Sequence, residues 1–135
     1  MKELIDKAKK IVILTHMAPD GDAMGSALAV YHYVTDRWAV GPLCCKTANA
    51  VRPSQSDCKT ANAVGVQTRE VRVIVPNMFP AFFNWMPGAA QILIYEKEPQ
   101  RCNSVIAEAD LFICTDFNDP KRIGPVGEKM LANNA

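Results

Sequence analysis

The chain of 135 residues is the length of one domain, and with 49% hydrophobic residues it can bury a core of its own. A formal net charge of +1 gives no global electrostatic case for a nucleic-acid or membrane-surface protein, and no apolar run reaches bilayer-crossing length. Five cysteines, an odd number, together with a charged, helix-like start in place of a secretory leader, point to reduced thiols and a cytoplasmic default.

Leu4, Ile5 and Ala8 mark one face of a short first helix. Residues 11–15 are an apolar, β-branched run suited to a buried strand. Pro19 and Gly21 break that run, and a helix follows over about 23–34. Its early residues are small (Ala23, Gly25, Ser26, Ala27) and would let it lie close to a sheet, while Tyr31, Tyr33 and Val34 supply bulk later. Residues 71–75 read as a second strand, ended by Pro76-Asn77. The aromatic stretch 79–86, closed by Pro87-Gly88, reads as a short helix tucked beneath the loops. Core packing of Phe79, Phe82, Phe83 and Trp85 is favoured there over stacking on a base. Residues 92–95 are a third strand, and Pro99 suits the first turn of a helix running to about 109. Residues 111–115 are a fourth strand that ends in Asp116, and 122–133 hold a weaker last helix after Gly124-Pro125. Strands separated by helices predict βαβ units: an α/β fold with a mainly parallel sheet and helices on both faces.

Residues 37–69 interrupt this alternation. Helix-to-strand connections in α/β units usually run roughly 2–6 residues, whereas this one is far longer and repeats CKTANAV at 45–51 and 58–64. Five basic residues (Arg37, Lys46, Arg52, Lys59, Arg69) face one acid, Asp57. The segment reads as a flexible, basic surface insertion, with a phosphate-backbone-binding arm as the less favoured alternative. Cys44, Cys45 and Cys58 make a poor zinc set, because adjacent cysteines seldom serve one tetrahedral ion. Cys114, inside a strand, reads as buried and inert.

The chemistry concentrates after the first strand, where His16, Asp20 and Asp22 follow one another in IVILTHMAPDGDAMGS. Loops leaving the carboxyl ends of strands are where open α/β sheets bind ligands. One imidazole nitrogen with carboxylate oxygens suits Mn²⁺ or a similar divalent ion. Asp116, at the end of another strand, would be brought to the same end of the sheet and could bridge two cations. Two metals roughly 3.5–4 Å apart can serve both the attacking and the leaving oxygen in phosphoryl transfer. The N–H groups at the start of the following helix would favour a phosphate nearby. Each residue also has a plainer reading: Asp20 and Asp22 as helix-cap or turn residues, His16 as a hydrogen-bonding loop histidine, Asp116 as a loop-start residue. His32 reads as a helix-surface or packing residue. No Walker-type loop or dinucleotide fingerprint occurs.

THMAPDGDAMGS resembles the first motif of the DHH phosphoesterase family, the group of RecJ-type exonucleases and NrnA-type oligoribonucleases and pAp phosphatases: a strand, His-x-x-x-Asp-x-Asp, then a helix opening with small residues. LFICTDFND is similar to the family's second motif, whose aspartate maps onto Asp116, and VRVIVPN, FFNWMPGA and ILIYEKEP resemble the NrnA-like members. The resemblance covers residues 1–36 and 70–135. It implies a Rossmann-like sheet and a Mn²⁺-dependent phosphoesterase using hydroxide attack assisted by two metals. His16 and Asp20 would bind one metal, Asp22 the other, and Asp116 both, so that Asp20, Asp22 and Asp116 would be the catalytic carboxylates. The implied substrates are short RNA oligonucleotides, linear dinucleotides or 3′-phosphoadenosine 5′-phosphate. The family's Asp-His-His triplet does not occur in this sequence. The resemblance therefore implies a partial domain of 1–135, interrupted at 37–69, with an incomplete second metal site and no C-terminal substrate-binding domain. The alternative is a non-catalytic domain that binds one divalent ion or phosphate, or serves as an interaction module. Residues 111–115 would then be a sheet edge open to self-association.

Overall fold

The computed structural model describes residues 2–39 and 69–133. In chain order these form α1 (Lys2–Lys7), β1 (Lys10–Leu14), α2 (Gly21–Ala39), β2 (Glu70–Val75), β3 (Leu93–Ile94), α3 (Pro99–Ala107), β4 (Leu111–Cys114) and α4 (Pro125–Ala132). Three short 3₁₀ turns lie at Ala81–Phe83, Ala89–Gln91 and Pro120–Ile123. The strands lie in the order β3-β2-β1-β4 and every neighbouring pair is parallel. No helix among the described residues is long and apolar enough to cross a membrane.

β1 is apolar without alternation because it is covered on both faces. Side chains of a strand point alternately up and down. Ile11 and Ile13 pack with Ile5 and Ala8 of the α1 region, Ala27 and Val34 of α2, and Val73 of β2. Val12 and Leu14 pack on the opposite face with Cys102 and Ile106 of α3, Ile123, and Val126 of α4. The register pairs Ile13 with Val73 and Leu14 with Ile74, so both strands turn matching residues to each face. All four residues from Ile11 to Leu14 are at most 1% exposed. Each such burial is worth about 1.5–3 kcal/mol, which makes β1 the spine of the core. This is the expected α/β architecture with a helical layer on each face.

The polar ends are tied down as well. The Asp110 carboxylate accepts hydrogen bonds from the Lys9 and Lys10 backbone N–H groups at 2.8 and 2.9 Å, joining the start of β1 to the turn before β4. Asn133 donates from Nδ2 to the Ile106 carbonyl at 2.6 Å, tying the end of α4 to the last turn of α3.

Several expectations are corrected. α2 starts before residue 23 and continues past 34 to Ala39, so residues 37–39 are helix and not insertion. Arg37 holds this last stretch through a two-pronged ion pair with Asp6 at 2.6 and 2.5 Å, and that contact keeps the Asp6 carboxyl below its usual range. Arg69 adds a hydrogen bond to the Asp6 carbonyl at 2.9 Å, so two of the five basic residues of 37–69 are engaged by α1. The repeated CKTANAV units and Cys44, Cys45 and Cys58 lie outside the described residues. The stretch 79–86 is not a helix beneath the loops. Only Ala81–Phe83 forms a 3₁₀ turn, and Phe82 and Trp85 are 67% and 77% exposed. Pro80 and Pro87 bound the segment, and a three-residue turn presents no continuous apolar stripe to bury. Cys114 is exposed, because β4 is an edge strand among the described residues.

Gly127 lies where α4 crosses the Pro120–Ile123 turn. A Cβ there would sit 2.3 Å from the Pro120 carbonyl oxygen and 3.1 Å from Ile123 Cγ1. Alanine in a helix is ordinarily better than glycine, but this overlap reverses the sign. Gly127→Ala is expected to destabilise the domain by about 1–3 kcal/mol, read as a lower urea midpoint at an unchanged slope. An unchanged or higher midpoint would contradict the packing described.

Candidate metal centre

The strand order changes direction at β1: the chain goes from β1 through α2 to β2 on one side, and β4 returns to the other side. The carboxyl ends of β1 and β4 therefore flank a topological switch point, where open α/β sheets bind ligands. The register pairs Leu14 with Cys114, and the pairing runs one step further, with the Thr115 N–H donating to the Leu14 carbonyl at 2.9 Å. His16 and Asp116 are the next residues on each chain, so the sheet itself sets them side by side.

His16 is 8% exposed. Its Nδ1 lies 2.7 Å from the Met17 carbonyl oxygen and its Nε2 3.2 Å from Asp116 Oδ2. A carbonyl only accepts, so Nδ1 carries the proton in that contact. A neutral ring then turns the Nε2 lone pair toward a carboxylate. Two acceptors face each other, an arrangement that requires a proton or a metal cation between them.

Asp20 completes the group. Its Oδ1 accepts from the backbone N–H of Asp22 at 3.1 Å and of Ala23 at 3.0 Å, capping α2. The Ala23 N–H is the main cause that holds the Asp20 carboxyl below its usual range, despite the opposing effect of desolvation. It is thus a ready carboxylate whose second oxygen remains for another partner. Ligand atoms of His16, Asp20 and Asp116 all lie within 4.8 Å of one another. One nitrogen and two carboxylates form a donor set that fits a borderline-to-hard divalent ion.

Of the four expected ligands the fold brings together these three. Asp22 is exposed in the first turn of α2 and stands outside the cluster, where a negative charge favours the helix dipole. The cap reading of Asp20 holds alongside its place in the cluster. The expectation that the start of α2 offers its N–H groups to a phosphate is narrowed, since three of them already have partners. Asp20 Oδ1 occupies those of Asp22 and Ala23, and the Asp20 carbonyl takes that of Met24 at 3.0 Å. His32 is not a ligand; its Nε2 meets the Pro87 carbonyl at 2.8 Å and ties the aromatic segment to α2.

Two supporting contacts were missed in the sequence. The Asn77 side chain accepts from the Ala18 N–H at 2.7 Å, and the Met17 N–H donates to the Arg122 carbonyl at 2.9 Å. They clamp both sides of a loop in which Ala18 has φ of +51°, while Asp116 opposite has φ of +61°. Non-glycine residues in the left-handed region are uncommon and cluster where the surroundings hold them in place. Asn77 had a legible signal, being a polar residue directly after a strand at the ligand-binding end of the sheet.

A family model for the DHH family, N-terminal domain, matches residues 10–134. Among the solved structures that match is the crystal structure of an exopolyphosphatase-related protein from Bacteroides fragilis, with a TM-score of 0.74 at 33% identity. The match covers 99% of this chain but 31% of that one, so the present chain spans about a third of the length of its solved relative. No curated protein matches. The family model spans almost the whole chain and the relative shares its fold at a third identity, so the chain belongs to the DHH family.

Proposed function

We propose that this domain supplies a Mn²⁺-binding half of a cytoplasmic phosphoesterase that hydrolyses short oligoribonucleotides, linear dinucleotides or 3′-phosphoadenosine 5′-phosphate. The convergence of His16, Asp20 and Asp116 at the switch point carries the reading. A divalent cation, when bound, polarises a phosphoryl oxygen and activates water for attack on phosphorus. The chain's own part is to orient the ligands and to keep their charge. The Met17 carbonyl selects the His16 tautomer whose Nε2 is open to a metal. Capping α2 keeps Asp20 ionised and fixes one of its oxygens. β4 carries Asp116 against His16. Asp22, exposed in the first turn of α2, would hold the second cation that the family resemblance implies.

Metal binding separates the two duties of Asp20. Asp20→Asn keeps a capping oxygen and is expected to leave the thermal midpoint nearly unchanged while weakening Mn²⁺ at least about tenfold. Asp20→Ala should weaken Mn²⁺ similarly and also cost about 0.5–2 kcal/mol of stability through the lost cap. Titration calorimetry with Mn²⁺ and thermal melts of the two variants check this. Equal Mn²⁺ affinity in the parent and Asp20→Asn would remove Asp20 from the site.

Hydrolysis of a linear dinucleotide and of 3′-phosphoadenosine 5′-phosphate tests the activity. The parent is expected to turn over at least one of them only with Mn²⁺, and His16→Ala and Asp116→Ala should each lose that activity. No activity above the variants, with Mn²⁺ binding retained, would favour the other reading: a non-catalytic domain that holds one divalent ion.

A further inference from the structure

We propose that the exposed aromatic face beside Asp20 is a nucleobase subsite, in which Phe79 and Phe82 seat the base of the nucleotide whose phosphate reaches the metal centre. The proposal rests on the phosphoesterase reading above and adds the residues that recognise a nucleoside.

Three features of the segment after β2 carry it. The first is position. An open hollow of about 580 Å³ is lined by Pro19, Asp20, Met78, Phe79, Phe82 and Phe83, among others. Asp20 belongs both to this hollow and to the ligand cluster, so the two adjoin at that residue. The second is exposure without looseness. Phe82 and Met78 are 67% and 55% exposed, so neither serves the core. The segment is nevertheless held firmly to α2. Phe83 packs on Gly21, where an added methyl would lie 3.5 Å from its ring. His32 bonds the Pro87 carbonyl, and the Tyr31 hydroxyl donates to Gln91. Gly88, at φ of +90°, makes the return turn against Leu28 and His32. A rigid platform loses little entropy when a ligand settles on it. The third feature is charge. Among the described residues Asp20 is the one ionisable side chain lining the hollow, and none of them offers a lysine or arginine there to take a phosphate. The hollow suits a flat, uncharged ring system, with the anionic part of the same molecule directed to the metal. Base–aromatic stacking is the interaction such a surface offers, and it tolerates any base.

The test compares adenosine 5′-monophosphate with ribose 5-phosphate, the same phosphate without the base, by calorimetric titration of the chain in Mn²⁺. The parent is expected to bind the nucleotide on the order of 5- to 100-fold more tightly. Phe82→Ala should abolish this preference by weakening the nucleotide alone, and Phe82→Tyr should keep it. Asp116→Ala, in contrast, should weaken both ligands together. Since Phe82 is mostly exposed, its replacement leaves the core intact. Equal affinity of the parent for both ligands would overturn the subsite and leave the metal reading standing. So would equal weakening of both ligands by Phe82→Ala. If Mn²⁺ binds but neither ligand does, the phosphoesterase reading fails first and the subsite fails with it. If Phe82→Ala instead abolishes self-association in sedimentation and leaves ligand preference unchanged, the face is a contact between copies and the proposal is wrong.

Discussion

The pairing of β1 with β4 is the contact on which the candidate site depends. Its parallel register ends at Leu14 and Cys114 and is prolonged by the hydrogen bond from the Thr115 N–H to the Leu14 carbonyl. A slip by one residue would turn every side chain of β4 to the other face, and Asp116 would no longer meet His16. The two faces of the core fix that register independently. Ile11 and Ile13 are claimed by the α1 and α2 layer, and Val12 and Leu14 by the α3 and α4 layer. The juxtaposition of His16 and Asp116 is therefore inherited from hydrophobic packing laid down several residues earlier in each strand.

The loop that follows β1 carries local costs which that packing must offset. Ala18 and Asp116 both have left-handed backbones, each worth on the order of 1–3 kcal/mol of strain. The imidazole of His16 is nearly buried opposite a carboxylate. Against this stand four fully buried residues of β1 at about 1.5–3 kcal/mol each. The larger sum belongs to the core, so the strained loop persists. Asn77 and the Arg122 carbonyl convert that surplus into position, since each satisfies one backbone N–H of the loop.

What the sequence revealed and what it concealed follow from how local each signal is. The run 11–15 was legible as a strand because burial on both faces leaves an unbroken apolar string. Pro99 and Pro125 stand in the first turns of α3 and α4, as their fixed φ favours. His16, Asp20 and Asp116 were legible because strand ends in an α/β fold share one rim of the sheet. Which of Asp20 and Asp22 caps α2 was not legible, because the two stand two residues apart in one turn and both are residue types that cap helices. The aromatic stretch misled for a related reason. Composition reports the apolar character of Phe82 and Trp85, while burial depends on whether the backbone forms a helix long enough to turn them inward. Pro80 and Pro87 prevented that.

Asp20 joins the remaining parts into one argument. Its Oδ1 starts α2, its place in the cluster ties that helix to His16 and Asp116, and its position on the rim of the aromatic hollow ties the cluster to the segment after β2. α2 in turn anchors that segment through His32 and Tyr31. The helix therefore holds the aromatic segment beside the charged cluster, with Asp20 common to both. A ligand with an anionic group and a flat ring a few bonds apart could engage the two together. The second contact would then be intramolecular and free of a further translational entropy cost.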